Sequence, residues 1–265
     1  MDRQSFVSET ALKYSGTRRT LSEWFGSDLG RYVLEWERAQ FDRATEDVFG
    51  FRAAQAGLPE IDFLRCNRIP YRFALGLDSG AALIADPLQL PLANQSLDLL
   101  VLPHALELTV DPRHVLREAE RVLRPEGQLV ISGFNPLSAW GVRHWLTWRK
   151  AAAPWDTRFV GLLRLKDWLQ LLGFELNGGR FGCYAPPFRN RKWRNRFAFF
   201  EFAGERWWPV LGGAYVVRAV KRVHGLRVIA PVWRKERARR RALAAMPQRN
   251  GHATNANGHS RQSDR

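Results

Sequence analysis

Two polar side chains stand directly behind apolar runs, where a parallel sheet presents side chains to a ligand. His104 follows Leu97-Asp-Leu-Leu-Val-Leu and Pro103. An imidazole there can act as general base or hydrogen-bond a substrate. The plain alternative is a histidine that caps backbone groups. Asp78 follows the run 71–77. An acid just past the second strand of a nucleotide-binding sheet accepts hydrogen bonds from ribose hydroxyls, although Asp78-Ser-Gly is equally a turn. Glu107 reads equally as a second polar group for a ligand at that edge and as a helix-surface acid. Cys66 and Cys183 are too few for a disulfide framework or a structural zinc site and read as ordinary thiols. His252 and His259 are too isolated to bind a metal, so no metal site is expected. No Gly-x-Gly-x-x-Gly occurs, which argues against a nicotinamide dehydrogenase.

The elements that must position these groups are legible in places. Residues 97–102 form a short apolar run with one Asp, the pattern of a strand covered on both faces. Asp111-Pro112 opens a helix, with the acid as N-cap and proline at the first helical position. Val115, Leu116, Ala119, Val122 and Leu123 recur at helical spacing. Arg124 closes the last turn, and Pro125-Glu126-Gly127 is a turn. Residues 128–134 are a second buried strand. Together they predict a right-handed βαβ unit with its strands adjacent and central.

Elsewhere, Thr20-Leu-Ser-Glu23 has the form of a capping box, and Leu29, Tyr32, Val33 and Trp36 make one helical stripe. This predicts a helix running to about Asp47. Residues 71–77 read as a strand. Residues 136–156 hold Trp140, Trp145, Trp148 and Trp155 among basic residues and predict a helix and a loop. Leu162, Leu165, Trp168, Leu169 and Leu172 predict a helix stopped by Gly173. Residues 174–184 and 214–220 read as strands, the first interrupted by Gly-Gly and ended by Ala185-Pro-Pro187.

Charge is distributed unevenly. Residues 1–188 carry 22 Lys/Arg and 22 Asp/Glu, residues 189–241 carry 16 and 3, and the last 24 carry 3 and 1. The net +15 therefore belongs to the C-terminal part, which points to a polyanionic partner. Two compete for residues 189–241: nucleic acid, with Trp193 or Trp233 stacking on bases, and an anionic membrane, with Trp207, Trp208 and the phenylalanines at the interface. No run approaches the roughly 18 apolar residues of a membrane span, and the N-terminus lacks a signal pattern. A cytoplasmic protein is expected, with peripheral attachment at the inner membrane as an extension.

Taken together, Asp-Pro-Leu-x-Leu-Pro-Leu from Asp86, Ser-Leu-Asp-Leu-Leu from Ser96, His-Ala-Leu-Glu from His104 and Leu-Arg-Glu-Ala-x-Arg-Val-Leu-Arg-Pro-Glu-Gly from Leu116 resemble a class I S-adenosylmethionine-dependent methyltransferase of the type 11 group. The resemblance implies a Rossmann-like α/β fold with a mostly parallel seven-stranded sheet, its last two strands an antiparallel hairpin. It implies S-adenosyl-L-methionine as cofactor, Asp86 at the adenine amino group and Leu88 near the ring. It places Gln55 and Gly57 in the loop that approaches the cofactor, after a first strand within residues 48–57. This chain departs from the family there, with Ala54 and Ala56 where glycines are usual. Asn135-Pro136 lacks the second proline and aromatic of the amino-group methyltransferase motif and does not count as it.

The expected organisation is an N-terminal segment 1–19, a methyltransferase-like domain 20–232 and a basic tail 233–265, disordered from 246 on. The expected function is methyl transfer to a small or hydrophobic acceptor. The competing reading is a non-catalytic adaptor on the same scaffold, working through the basic C-terminal surface.

Overall fold

The computed structural model describes residues 21–77, 81–147, 157–187 and 199–222, all within the unit Met1–Val223. Expectations for Asp78, Trp148, Trp155, Trp193, Trp233 and the C-terminal tail lie outside the described residues.

The N-terminal helix expected to be continuous is divided. Residues 21–25 are helical, the chain turns at Gly26, and α1 (Asp28–Thr45) starts afresh. Ser27 is its N-cap, the Oγ accepting from Gly30 N–H at 3.0 Å; Thr20 lies outside the described residues. A Cβ on Gly30 would lie 2.1 Å from the Trp24 carbonyl oxygen, so the turn is built on contact with glycine.

Seven strands form one sheet: β1 (Arg52–Ala56), β2 (Tyr71–Gly76), β3 (Leu83–Ile84), β4 (Leu97–Pro103), β5 (Leu123–Phe134), β6 (Phe174–Gly182) and β7 (Ala214–Lys221). Their order is β3-β2-β1-β4-β5-β7-β6. The first five are parallel, and β7 is antiparallel to both β5 and β6. The two central strands are adjacent as expected. The turn at Pro125-Glu126-Gly127 survives as a bulge within β5, because Leu97 pairs Leu123 and Leu99 already pairs Gln128. Glu126 sits there at φ +64°.

Strand alternation divides the core into two layers. Leu99, Val101, Val130 and Phe134 face α1 and the β1–β2 connection. Leu100, Leu102, Leu129 and Ile131 face α2 (Pro112–Val122) and α4 (Leu162–Leu171). Asp111 caps α2 by accepting from the N–H groups of Arg113 and His114 at 3.0 and 3.1 Å. Between β1 and β2 the chain makes no helix. Residues 57–70 cover that part of the sheet as a loop that buries Leu58, Ile61, Phe63, Leu64 and Ile69. Side chains hold it: Asn67 Nδ2 donates to the Thr45 and Val48 carbonyls, and Arg72 Nη1 to those of Leu64 and Asn67.

The remaining elements are α3 (Ala139–Thr147), α5 (Phe199–Trp207) and a 3-10 turn (Pro209–Leu211). The helix α5 had no sequence expectation. Gly173, at φ +78°, ends α4 as predicted.

Candidate functional site

The parallel strands bring their carboxyl ends to one edge, where sheets of this kind bind ligands. β1 ends at Ala56, and Gly57 follows at φ +109°. Gly57 N–H donates to the Leu75 carbonyl at 3.3 Å, and Ala85 N–H to that of Gly76 at 2.8 Å. The loop after β1, the end of β2 and the turn at Asp86 therefore lie side by side. A Cβ on Gly57 would sit 2.9 Å from the Pro103 carbonyl oxygen at the end of β4. Asp86 Oδ1 accepts from Leu88 N–H at 2.9 Å, a local turn that leaves Oδ2 outside it. Leu88 packs against the α2 layer. The structure thus assembles Gly57, Asp86 and Leu88 at one edge.

Gln55, expected among the cofactor contacts, is used up by the protein. Its Nε2 donates to the carbonyls of Gly57, Leu58 and Ile61 at 3.1, 2.9 and 2.7 Å, and its Oε1 accepts from Phe63 N–H at 3.0 Å. The amide is 2% exposed and ties the loop shut. Leu58 follows at φ +45° with its side chain fully buried. A cleft of about 310 Å³ opens beside this loop, lined by Gln55, Pro59, Asp62 and residues of β2. That volume is at the low end of those that take small-molecule ligands.

His104 adopts φ +51° at the end of β4 and is fully buried. Its Nδ1 lies 2.7 Å from Glu107 Oε2 and its Nε2 lies 2.8 Å from Glu37 Oε1. Phe25 and Phe134 wall the ring, with centroids at 5.6 and 4.5 Å. Burial works against a charged imidazole, but the Glu37 and Glu107 carboxylates outweigh it and push its pKa up to about 10. Burial raises the Glu107 carboxyl, while His104 and the Phe134 N–H, 2.6 Å from Oε1, act the other way. A histidine free to take a proton is therefore not what this geometry offers. Both ring nitrogens are occupied by carboxylate oxygens, an arrangement that favours the charged imidazole. Glu107 is not a surface acid but 3% exposed.

A half-buried polar group adjoins the first. The Tyr32 hydroxyl donates to Glu201, which also accepts from Ala185 N–H at 2.9 Å. Burial, with Glu201 and Glu37 nearby, pushes the Cys183 thiol well above its usual range, so Cys183 is an inert thiol. No His/Cys/Asp/Glu group suited to a metal occurs among the described residues.

A methyltransferase domain family matches residues 72–131, from β2 to β5 and including Asp86, Leu88 and His104. The strand order and terminal antiparallel pair agree with solved methyltransferases. The fold is that of a class I S-adenosylmethionine-dependent methyltransferase. One such enzyme of Thermotoga maritima superposes with a TM-score of 0.50 at 18% identity, over 72% of this chain and 97% of its own. One of Mesorhizobium loti gives 0.50 at 18%, over 69% and 96%. A chain from the Haloferax volcanii complex of the Trm112 methyltransferase activator gives 0.58 at 18%, over 79% and 99%. The Escherichia coli K12 protein YafS is 48% identical over 98 residues, 37% of this chain and 41% of YafS. This match spans about two fifths of the length of that curated relative.

Within this methyltransferase fold the family match begins after the β1 loop, the stretch where the glycines are missing. Sequence reasoning also missed Glu37. Its signal was present, since Leu29, Val33 and Glu37 fall four residues apart and an acid on an apolar stripe needs a buried partner.

Proposed function

We propose that this protein binds S-adenosyl-L-methionine at the carboxyl edge of β1, β2 and β4 and methylates a small or hydrophobic acceptor. The observation that carries the reading is the position of the matched segment. Its Asp86–Leu88 turn stands beside the Gly57 loop, where the absence of a Cβ lets the end of β4 pack close, with the Pro103 carbonyl oxygen 2.9 Å from the Cβ position. The residues present suit the adenosine end of the cofactor: Asp86 Oδ2 to accept from the adenine amino group, and Leu88 to pack on the ring. When bound, the sulfonium supplies an already activated methyl group. The protein's own work is to align the acceptor and exclude water. His104 then serves as a positioning residue, holding α1 over the edge through Glu37, and proton transfer by it is not required.

Calorimetric titration tests this. Wild-type protein should bind S-adenosylmethionine, and Asp86→Ala should weaken binding by about 1.5–3 kcal/mol, the scale of a hydrogen bond involving a charged group. Unchanged affinity in a folded variant removes Asp86 from the site. No binding by the wild type would leave the scaffold as an adaptor.

A further inference from the structure

The carboxyl edge of the sheet carries a collar of exposed aromatic and aliphatic side chains. α3 follows β5, while α5 and the 3-10 turn precede β7. Because Phe134 pairs with Ala214 across antiparallel strands, all three leave the sheet at the same end. Ala185 fastens the helices on either side of itself: its carbonyl accepts Trp140 Nε1–H at 3.0 Å, and its N–H donates to Glu201. Asn135 Nδ2 adds bonds to the Val210 and Gly212 carbonyls at 2.8 and 2.9 Å. Several outward side chains are large and apolar. Leu137, Trp145 and Leu146 project from the first part, with Trp145 74% exposed. Phe202, Trp207 and Trp208 project from the second, with Phe202 79% exposed.

Clusters of this kind mark interaction surfaces, and the side chains say which. Tryptophan and phenylalanine with leucine are the interfacial set of peripheral membrane proteins. The aliphatic members would not stack on nucleic-acid bases. Charge agrees, because residues 189–196, which lead toward α5, carry five Lys/Arg and no acid.

We infer that the collar seats this protein on an anionic bilayer, with the carboxyl edge of the sheet toward the lipid. The inference stands whether or not that edge binds S-adenosylmethionine. If it does, the acceptor is a lipid-phase molecule entering from the membrane.

Vesicle flotation of the full chain decides it. The wild type should float with vesicles of phosphatidylcholine and phosphatidylglycerol (3:1) and remain below with phosphatidylcholine alone. The triple variant W145S/F202S/W207S should partition about tenfold less or weaker, with an unchanged melting profile because all three side chains are exposed. A readout on the unaltered protein covers the case of a misfolded variant: bromine-labelled acyl chains should quench its tryptophan emission. Wild type that stays soluble with both vesicles, or that shows no quenching, overturns the inference. So does a triple variant that floats like wild type. A gel shift of RNA or DNA without vesicle binding would assign the surface to nucleic acid instead. None of these readouts requires cofactor, so failure here leaves the methyltransferase reading untouched.

Discussion

His104 Nε2 lies 2.8 Å from Oε1 of Glu37, 67 residues earlier on the helix α1 that covers the sheet. Glu107 holds the other ring nitrogen, and no part of the three side chains' shared contact is open to water. Glu37 Oε2 is buried and has no hydrogen-bond partner among the described atoms. Such an arrangement is costly to break from one side, because the remaining charges stay buried without compensation. His104→Leu should therefore lower unfolding free energy by about 3–5 kcal/mol, measured by urea denaturation. A loss under about 1 kcal/mol would mean that the buried contact is not formed.

The same group makes stability depend on alkaline pH. The folded imidazole has its pKa pushed up to about 10, against roughly 6.5 when unfolded. The folded state therefore holds a proton that the unfolded state releases. This contribution is fully present below about pH 6.5 and declines until pH passes about 10. Burial raises Glu107 in the same sense. Unfolding midpoints measured from pH 6 to 10 should fall, and the slope should flatten in His104→Leu. An equal slope in both proteins would remove His104 as its source.

The sheet was legible because its central strands are apolar on both faces and its helix α2 opens at Asp111-Pro112, although the helix ends at Val122 and Arg124, expected in its last turn, is already in β5. The site was legible only in part. The Asp86 turn is local, since Asp86 bonds Leu88 two residues on, and local hydrogen bonds follow from sequence order. The His104 contact is not local. Nothing near His104 in sequence tells that a carboxylate from α1 will meet its Nε2. Gln55 misled for a related reason: it was expected in the loop after the first strand, but it lies within β1, and its partners run from Gly57 to Phe63 and depend on how the following loop folds. The break at Gly26 was hidden by an uninterrupted helical stripe on either side.

Gln55 should matter for the loop rather than for ligand contact. Replacing it by leucine keeps the bulk and strands a buried Phe63 N–H and the carbonyls of Gly57 and Ile61, while that of Leu58 keeps the Ile61 N–H. The expected loss is about 1–3 kcal/mol, the cost of an unsatisfied buried polar group. Hydrogen exchange should show it locally, with the Phe63 amide losing protection while those of β5 do not. Uniform loss across the sheet would contradict a role confined to the loop.

Gly57 gives the sharpest test of the edge geometry, because a second glycine serves as its control. At φ +109° an L side chain is strained, and its Cβ would meet the Pro103 carbonyl 2.9 Å away. Carbonyl backbone at the end of a central strand cannot move aside cheaply. Gly57→Ala should therefore cost about 1–3 kcal/mol. Gly178, in β6, has nothing within 4 Å of where its Cβ would be and no positive φ. Gly178→Ala should fall within about 0.5 kcal/mol of wild type. Thermal or urea unfolding compares the two directly. If the cofactor approaches the backbone at Gly57, the folded fraction of Gly57→Ala should also bind S-adenosylmethionine more weakly, while Gly178→Ala binds as wild type does. Equal stability of the two variants would mean that Gly57 does not lie against β4. Equal affinity would move the cofactor away from the β1 loop.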